Sequence, residues 1–189
     1  VVNSLCFPSQ FGCTQDVPNY DYNPEKAKKL LAEAGYPNGF EIPFLAYRNR
    51  DYAEAMINNL NAVGIKAKLE YLKYAAFRDK VQSGGSPFNF GTWGSYSIND
   101  VSAITSHFQS GGKDDYSKDP EVIKQLGIGD TSVDANVRKA AYKAALSRIT
   151  GEVFMFPLWS YNTWYAFSKD VDFNPTPDEI PRFFTAKWM

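Results

Sequence analysis

The sequence is poor in the side chains that most enzymes use. It holds one histidine, His107, and two cysteines, Cys6 and Cys13, in 189 residues. That scarcity works against a zinc site, whose ligands are drawn mainly from these two residue types, and it leaves His107 as the only imidazole for a catalytic triad. G-x-S-x-G, H-E-x-x-H, P-loop and G-x-G-x-x-G motifs are all missing, so no nucleophile elbow, zinc-protease helix or nucleotide cradle is signalled. Gly91-Thr92-Trp93-Gly94-Ser95 is glycine-rich, but no lysine follows it. Charge of one sign is missing as well: 20 Lys+Arg face 21 Asp+Glu, a net charge of −1 with no basic stripe, which argues against a nucleic-acid partner. No apolar run is long enough to span a bilayer, and no signal-peptide n-region or h-region is visible. The expectation is a non-enzymatic protein without metal or cofactor.

What the chain does hold is ordinary globular material with an aromatic excess. Hydrophobic residues make up 44%, charged residues 22% and aromatics 16%, with twelve Tyr and four Trp. Core packing accounts for most aromatics, but Tyr and Trp also suit surfaces that are both apolar and hydrogen-bonding, such as ligand clefts. Cys6 and Cys13 lie in LCFPSQFGC, with Pro8 and Gly12 between them. That turn-rich loop allows a disulfide, which would suit an oxidising compartment, and equally allows two free thiols.

Element signals follow in close order. Asn23 is a good N-cap, Pro24 suits the first helical position, Ala27, Leu30, Leu31 and Ala34 form a stripe, and Gly35 stops the helix. Phe40 to Tyr47 reads as a strand, with Pro43 hinting at an edge or an irregularity. Asp51 to Val63 reads as a helix with Tyr52, Met56, Leu60 and Val63 on one face. Ile65 to Tyr71 alternates, with Ile65, Ala67, Leu69 and Tyr71 inward. Tyr74 to Val81 follows as a helix and Phe88 to Trp93 as a strand. This β-α-β-α-β order favours a mostly parallel central sheet flanked by helices. The second half is more helical: Asp100 to Phe108, a helix from Asp119-Pro120, and one capped by Asp134 and running to Thr150. Val153 to Trp159 and Asn162 to Ser168 read as strands, and Pro175 to Met189 as an irregular tail.

Ligands of open α/β sheets sit at the carboxyl ends of the strands. There the sequence places Tyr47, Arg48 and Arg50 after one strand, and Trp93, Ser95, Tyr96, Asn99 and Asp100 after another. Two guanidinium groups suit a carboxylate. Trp93 and Tyr96 offer an aromatic wall, and Ser95 and Asn99 polar contacts. A surface pairing of Arg48 and Arg50 with Asp51 or Glu54, and helix capping by Asp100, are the plainer readings. Asp114 and Asp115 in GGKDDYS read as part of a solvated loop.

The stretch from Tyr22 to Leu72, beginning YNPEKAKKLLAEAGYPNGF, resembles the start of the C-terminal lobe of the solute-binding proteins that feed ABC importers of peptides. This dipeptide- and oligopeptide-binding group, extracellular solute-binding protein family 5, carries DPEKAKxLLxEAGxxxGF, then a strand, a helix, "VGI" and a strand. AAYKAALSRITGEVFMFPLWSYNTWYAFSKDVDF resembles the family's late helix and following strands, and PDEIPRFFTAKW its end. The resemblance implies a type II periplasmic-binding-protein-like lobe over residues 1–174. Residues 175–189 would be a tail that packs on a missing N-terminal lobe, leaving Phe183, Phe184 and Trp188 without their partner. It further implies a peptide or peptide-like solute, a membrane permease as partner, and a periplasmic or lipid-anchored extracellular location. The family's aspartate for a peptide's α-ammonium falls at Tyr96, with Asp100 the nearest carboxylate, and its carboxylate-binding arginine falls near Arg50. Two other readings are a small α/β enzyme using Asp100 and His107, and an interaction module working through the aromatic tail.

Overall fold

A computed structural model describes residues 2–95, 97–176 and 180–189. The chain divides into two compact units, Tyr20–Thr92 and the combination of Val1–Asn19 with Trp93–Met189.

The first unit is the parallel sheet. Helix α1 (Pro24–Glu33) starts where Asn23 accepts the Lys26 amide at 2.9 Å, relieving one of the unpaired donors of a first turn. Strand β1 (Phe40–Ala46) is followed by α2 (Arg50–Ala62), β2 (Ile65–Tyr71), α3 (Tyr74–Gln82) and the two-residue β3 (Asn89–Phe90). The order is β2-β1-β3, parallel throughout. Pro43 therefore lies in the central strand. It is tolerated because β3 pairs only with Leu45 and Ala46, so that flank of Pro43 carries no ladder to interrupt. Phe44, Leu45 and Ala46 are buried, and Leu45 packs with Phe77 and Val81 of α3.

Three expected faces turn differently. The stripe of α1 is only half-covered, at Ala27 and Leu31, and Leu30 stays exposed. On α2 the buried residues are Ala53 and Ile57, while Tyr52 is exposed. Tyr71 ends β2 in the open, with the Arg50 guanidinium 5.8 Å from its ring centroid. Period alone locates an apolar stripe to within one residue, and a small alanine can take the inward place from a tyrosine whose hydroxyl prefers water.

The second unit is built on helices α4 (Ser102–Phe108), α5 (Pro120–Thr131) and α6 (Ala135–Gly151). Asp119 and Asp134 cap α5 and α6, each accepting two amides of the first turn. Its core joins Leu5, Cys6 and Val101 to Val122, Leu126, Tyr142, Ala145, Leu146 and Ile149. Cys6 and Cys13 form a disulfide. The segments Val153–Trp159 and Asn162–Ser168 are not strands: neither joins a ladder. Their apolar spacing mimics alternation, but Pro157 lacks a donor, and Phe156, Trp164 and Phe167 face water. The GGKDDYS loop is not solvated at its acids, since Asp114 and Asp115 are buried. Asp115 accepts the Gly111 and Lys118 amides, each at 2.9 Å, and the Ser117 hydroxyl at 2.7 Å, which organises the turn into α5. Just before the tail, β4 (Val171–Asp172) pairs antiparallel with β5 (Lys187–Trp188) inside it. Phe183, Phe184 and Trp188 are 71%, 86% and 82% exposed.

Two stability predictions follow from local geometry. Gly39 has φ +70°, and a Cβ there would stand 1.8 Å from the Gly64 carbonyl oxygen, whereas a Cβ on Gly35 (φ +89°) would meet open space. Gly35→Ala should therefore cost about 1–2 kcal/mol for its backbone alone, and Gly39→Ala distinctly more, read by urea denaturation. Asp119 is held down at about 2 by the Arg148 guanidinium and the Val122 amide, against an ordinary 3.8. A lowered carboxyl stabilises the fold above the unfolded value and loses that contribution as pH falls through the folded value. Asp119→Asn should flatten the fall in melting temperature between about pH 4 and pH 2.

Candidate functional site

In the sheet unit, β1 delivers Tyr47 and Arg48 at its carboxyl end, and both meet one hydroxyl. Arg48 Nη1 donates to Thr92 Oγ1 at 3.0 Å, and the Tyr47 hydroxyl lies 3.2 Å from the same oxygen. Tyr47 also packs against Tyr74 and Phe77, with centroids at 5.0 and 4.8 Å. Thus Tyr47 is fixed by packing, and Thr92 holds the guanidinium of Arg48 next to it. Arg50 opens α2 and pairs with Glu54 one turn on, Nε to Oε1 2.8 Å, with both side chains exposed. This is the plainer surface pairing, and such i,i+4 pairs contribute about 0.3–0.5 kcal/mol.

In the helical unit, the run after β3 carries Trp93, Ser95, Asn99 and Asp100; Tyr96 lies outside the described residues. The Ile98 amide closes a turn onto the Ser95 carbonyl at 2.9 Å, and Ser97 sits at φ +68°. The Asn99 carbonyl accepts the Phe11 amide and the Phe11 carbonyl accepts the Val101 amide, both at 3.0 Å. The disulfide loop is therefore bonded along this run, and Gln10 adds a third bond to the Ile98 carbonyl at 3.0 Å. From the tail, Arg182 Nη2 donates to Ser97 Oγ at 3.1 Å.

Asp100 is bound inward. Its Oδ1 accepts the Ser102 amide at 3.0 Å, and its Oδ2 faces Arg138 Nη2 at 2.7 Å. The Tyr142 hydroxyl stands 3.2 Å from Oδ1 and 2.8 Å from Asp130 Oδ1. Burial works to raise the Asp100 carboxyl, but the Ser102 amide and Arg138 outweigh it, so it sits below the usual range. Burial pushes Tyr142 upward, leaving a neutral hydroxyl that donates. Capping, the plainer reading of Asp100, is present together with an ion pair the sequence did not signal.

Trp93 is half-buried, stacked on His107 at 4.2 Å with Phe108 edge-on at 5.0 Å. Among the described residues, no three His, Cys, Asp or Glu side chains group as a metal site, and no helix is long and apolar enough to cross a membrane. Sequence reading missed Thr92, His107, Arg138 and Arg182 as supports. Thr92 was visible only as part of a glycine-rich run, His107 only as a lone imidazole, and Arg138 and Arg182 reach Asp100 and Ser97 across 38 and 85 positions.

Comparison with known proteins gives a consistent family. The sequence model of the bacterial extracellular solute-binding proteins, family 5 Middle, matches residues 1–115. A heme-binding protein A of Haemophilus influenzae is 34% identical over 85 residues, covering 41% of this chain and 16% of that protein. A dipeptide-binding protein of Escherichia coli K12 is 39% identical over 86 residues, covering 38% and 16%. The dipeptide binding protein of Pseudoalteromonas sp. SM9913, solved with Met-Leu, superposes with a TM-score of 0.81 at 24% identity, over 99% of this chain and 40% of that one. The last match shows the fold, a type II periplasmic-binding-protein lobe. The matched parts span well under half of each relative's length.

Tyr142→Phe should keep the packed ring but remove the hydroxyl that meets Asp130 and Asp100 and accepts from Arg138 Nη2 at 3.0 Å, while Arg138 keeps Asp100 and the Gly129 carbonyl. We expect a loss of about 0.5–1.5 kcal/mol in urea denaturation, with little change in the sheet unit's amide-exchange protection.

Proposed function

This chain belongs to the bacterial extracellular solute-binding proteins of family 5, and from that premise we propose that it is one lobe of the solute-binding component of an ABC importer. The match over residues 1–115 carries this reading. In the complete protein two lobes would close around a peptide or peptide-like solute and present the closed form to a membrane permease. The setting would be the periplasm or, with a lipid anchor, the outer face of the membrane.

On this lobe we assign the solute contacts to Tyr47, Arg48 and Arg50, and to Trp93, Ser95, Tyr96 and Asn99. Arg48 is supported as a carboxylate ligand by its neutral hydroxyl partner, and Arg50 by the weakness of an exposed pair with Glu54. Asp100 is a poorer counter-charge for a solute ammonium, because Arg138 and the Ser102 amide already hold its carboxylate. An ammonium facing this lobe would meet its counter-charge elsewhere, or the solute would lack one there. The exposed Phe183, Phe184 and Trp188 support a tail that packs on the N-terminal lobe.

The enzyme reading has less support. Asp100 is bound to Arg138, and His107 is stacked on Trp93 with Nε2 3.2 Å from Asp114 Oδ2, so each serves a structural contact.

The test is mass spectrometry of the small molecules released on denaturing the two-lobed protein, with this chain alone as control. A peptide mixture or one defined solute from the long form only is the expected result. Equal recovery from the lobe alone would overturn the two-lobe reading. With that solute in hand, Arg48→Ala and Trp93→Ala should each weaken binding by about tenfold, or about 1.4 kcal/mol.

A further inference from the structure

The single imidazole of the chain lies against the indole that we assign to the solute wall. His107 stacks on Trp93 with centroids 4.2 Å apart and an interplanar angle of 20°. Phe108 closes the stack edge-on to both rings, at 5.0 Å from Trp93 and 4.5 Å from His107. At the ring's edge the imidazole Nε2 stands 3.2 Å from Asp114 Oδ2, a charge contact without hydrogen-bond geometry, and Asp114 is buried while His107 is one-third exposed. An indole on the face of the imidazole and a buried carboxylate at its edge thus join the run after β3, α4 and the loop after it.

No other titratable residue lies on α4, Ser102–Phe108. In the following loop Asp115 turns to Gly111, Ser117 and Lys118, and Lys113 is exposed. On α5, which packs against α4, Glu121 engages Lys124 and Gln125, Asp130 engages Tyr142, and Asp119 at the cap engages Arg148. The segment from Trp93 to Ser95 carries no charge.

We propose that His107 is the positioning residue of the Trp93 platform: Asp114 orients the imidazole, the imidazole fixes the plane of the indole, and protonation of His107 tightens the stack. An imidazolium is attracted both to the face of an indole and to a carboxylate, so acid holds the wall more firmly than neutral solution does. The role of Trp93 as a solute wall rests on the function proposed above; the coupling of the three side chains does not. A chain with a rigid, flat aromatic face at this position would select solutes with an apolar or planar group there.

The test uses the full chain and its tryptophan emission with acrylamide as quencher, recorded between pH 8 and pH 5, where imidazoles change charge. We expect emission and quenching to change with pH in the native protein, and quenching to be weaker at pH 5. His107→Phe keeps a stacked ring and should retain native quenching at pH 8 while losing the pH dependence. His107→Ala should increase quenching and shift emission to the red at both pH values. Asp114→Asn should shrink the difference between pH 8 and pH 5, leaving only what the attraction of an imidazolium to the indole face supplies. Trp93→Phe identifies the reporter among the four tryptophans and should also abolish the pH dependence. The proposal is overturned if the native and His107→Phe profiles coincide, if Asp114→Asn leaves the profile intact, or if the dependence survives Trp93→Phe. Because none of these readings needs a solute, they can fail while the importer reading stands, and the reverse.

Discussion

Tyr142 is fully buried on α6, and its ring fits where two glycines bring backbone against it. A Cβ on Gly12 or on Gly129 would stand 2.4 Å from ring carbons of Tyr142. Any side chain at either place would displace the ring, and dense interiors have no spare volume to take it. Once the ring is seated, its hydroxyl is carried to Asp130 and Asp100, and Arg138, one turn earlier on α6, reaches Asp100 and the Gly129 carbonyl. The guanidinium also lies 4.6 Å over the Phe11 ring. A single packed tyrosine therefore binds the disulfide loop, the run after β3 and the α5–α6 hairpin into one unit.

That arrangement determines how one of the two groups of proposed site residues is held. The run 97–101 is bonded from three sides, by Phe11 and Gln10 of the disulfide loop, by Arg138, and by Arg182 of the tail. Its carboxylate is neutralised before any solute arrives. Separating Asp100 from Arg138 would leave partly buried charges without compensation, which is costly. Arg48 and Arg50 are held otherwise: one by a hydroxyl, one by an exposed pair whose loss is nearly free. A ligand carboxylate can replace those contacts with little penalty, whereas a ligand ammonium would have to compete with Arg138 for Asp100.

Much of the fold was legible from local signals. Asn23, Asp119 and Asp134 mark helix starts through short oxygen-bearing side chains, and the order of strands and helices up to β3 follows from apolar period and turn residues. The misreadings have physical reasons. Pro43 was read as a hint of an edge or an irregularity; it sits in the central strand, where it is tolerated because its neighbour β3 is only two residues long. The aromatic-rich run after α6 alternates as a strand would, but alternation without a partner does not make a ladder. Asp114 and Asp115 look solvated in sequence because composition cannot show that one carboxylate organises the turn and the other meets an imidazole. For the site, the strand ends were readable and their supports were not. Contacts such as Arg138 to Asp100 or Arg182 to Ser97 join residues 38 and 85 positions apart, and no short pattern encodes them.

The tail follows from the same reasoning about unpaid burial. Fully burying a large apolar side chain contributes about 1.5–3 kcal/mol, and Phe183, Phe184 and Trp188 leave most of that unrealised. Yet residues 183–188 are not loose. β5 is paired to β4, the Thr185 and Ala186 amides close a turn on Arg182 and Phe183, and Phe183 lies 5.7 Å from Phe173. Ordering a backbone costs about 1–2 kcal/mol per residue, so a fixed segment that displays its aromatics to water gains its main compensation only when they are covered. A preformed aromatic face of this kind suits a surface of fixed shape, since little further ordering is lost on contact. The N-terminal lobe proposed above would be such a surface, held at high effective concentration by the chain; a separate partner would have to supply the same complementarity by collision.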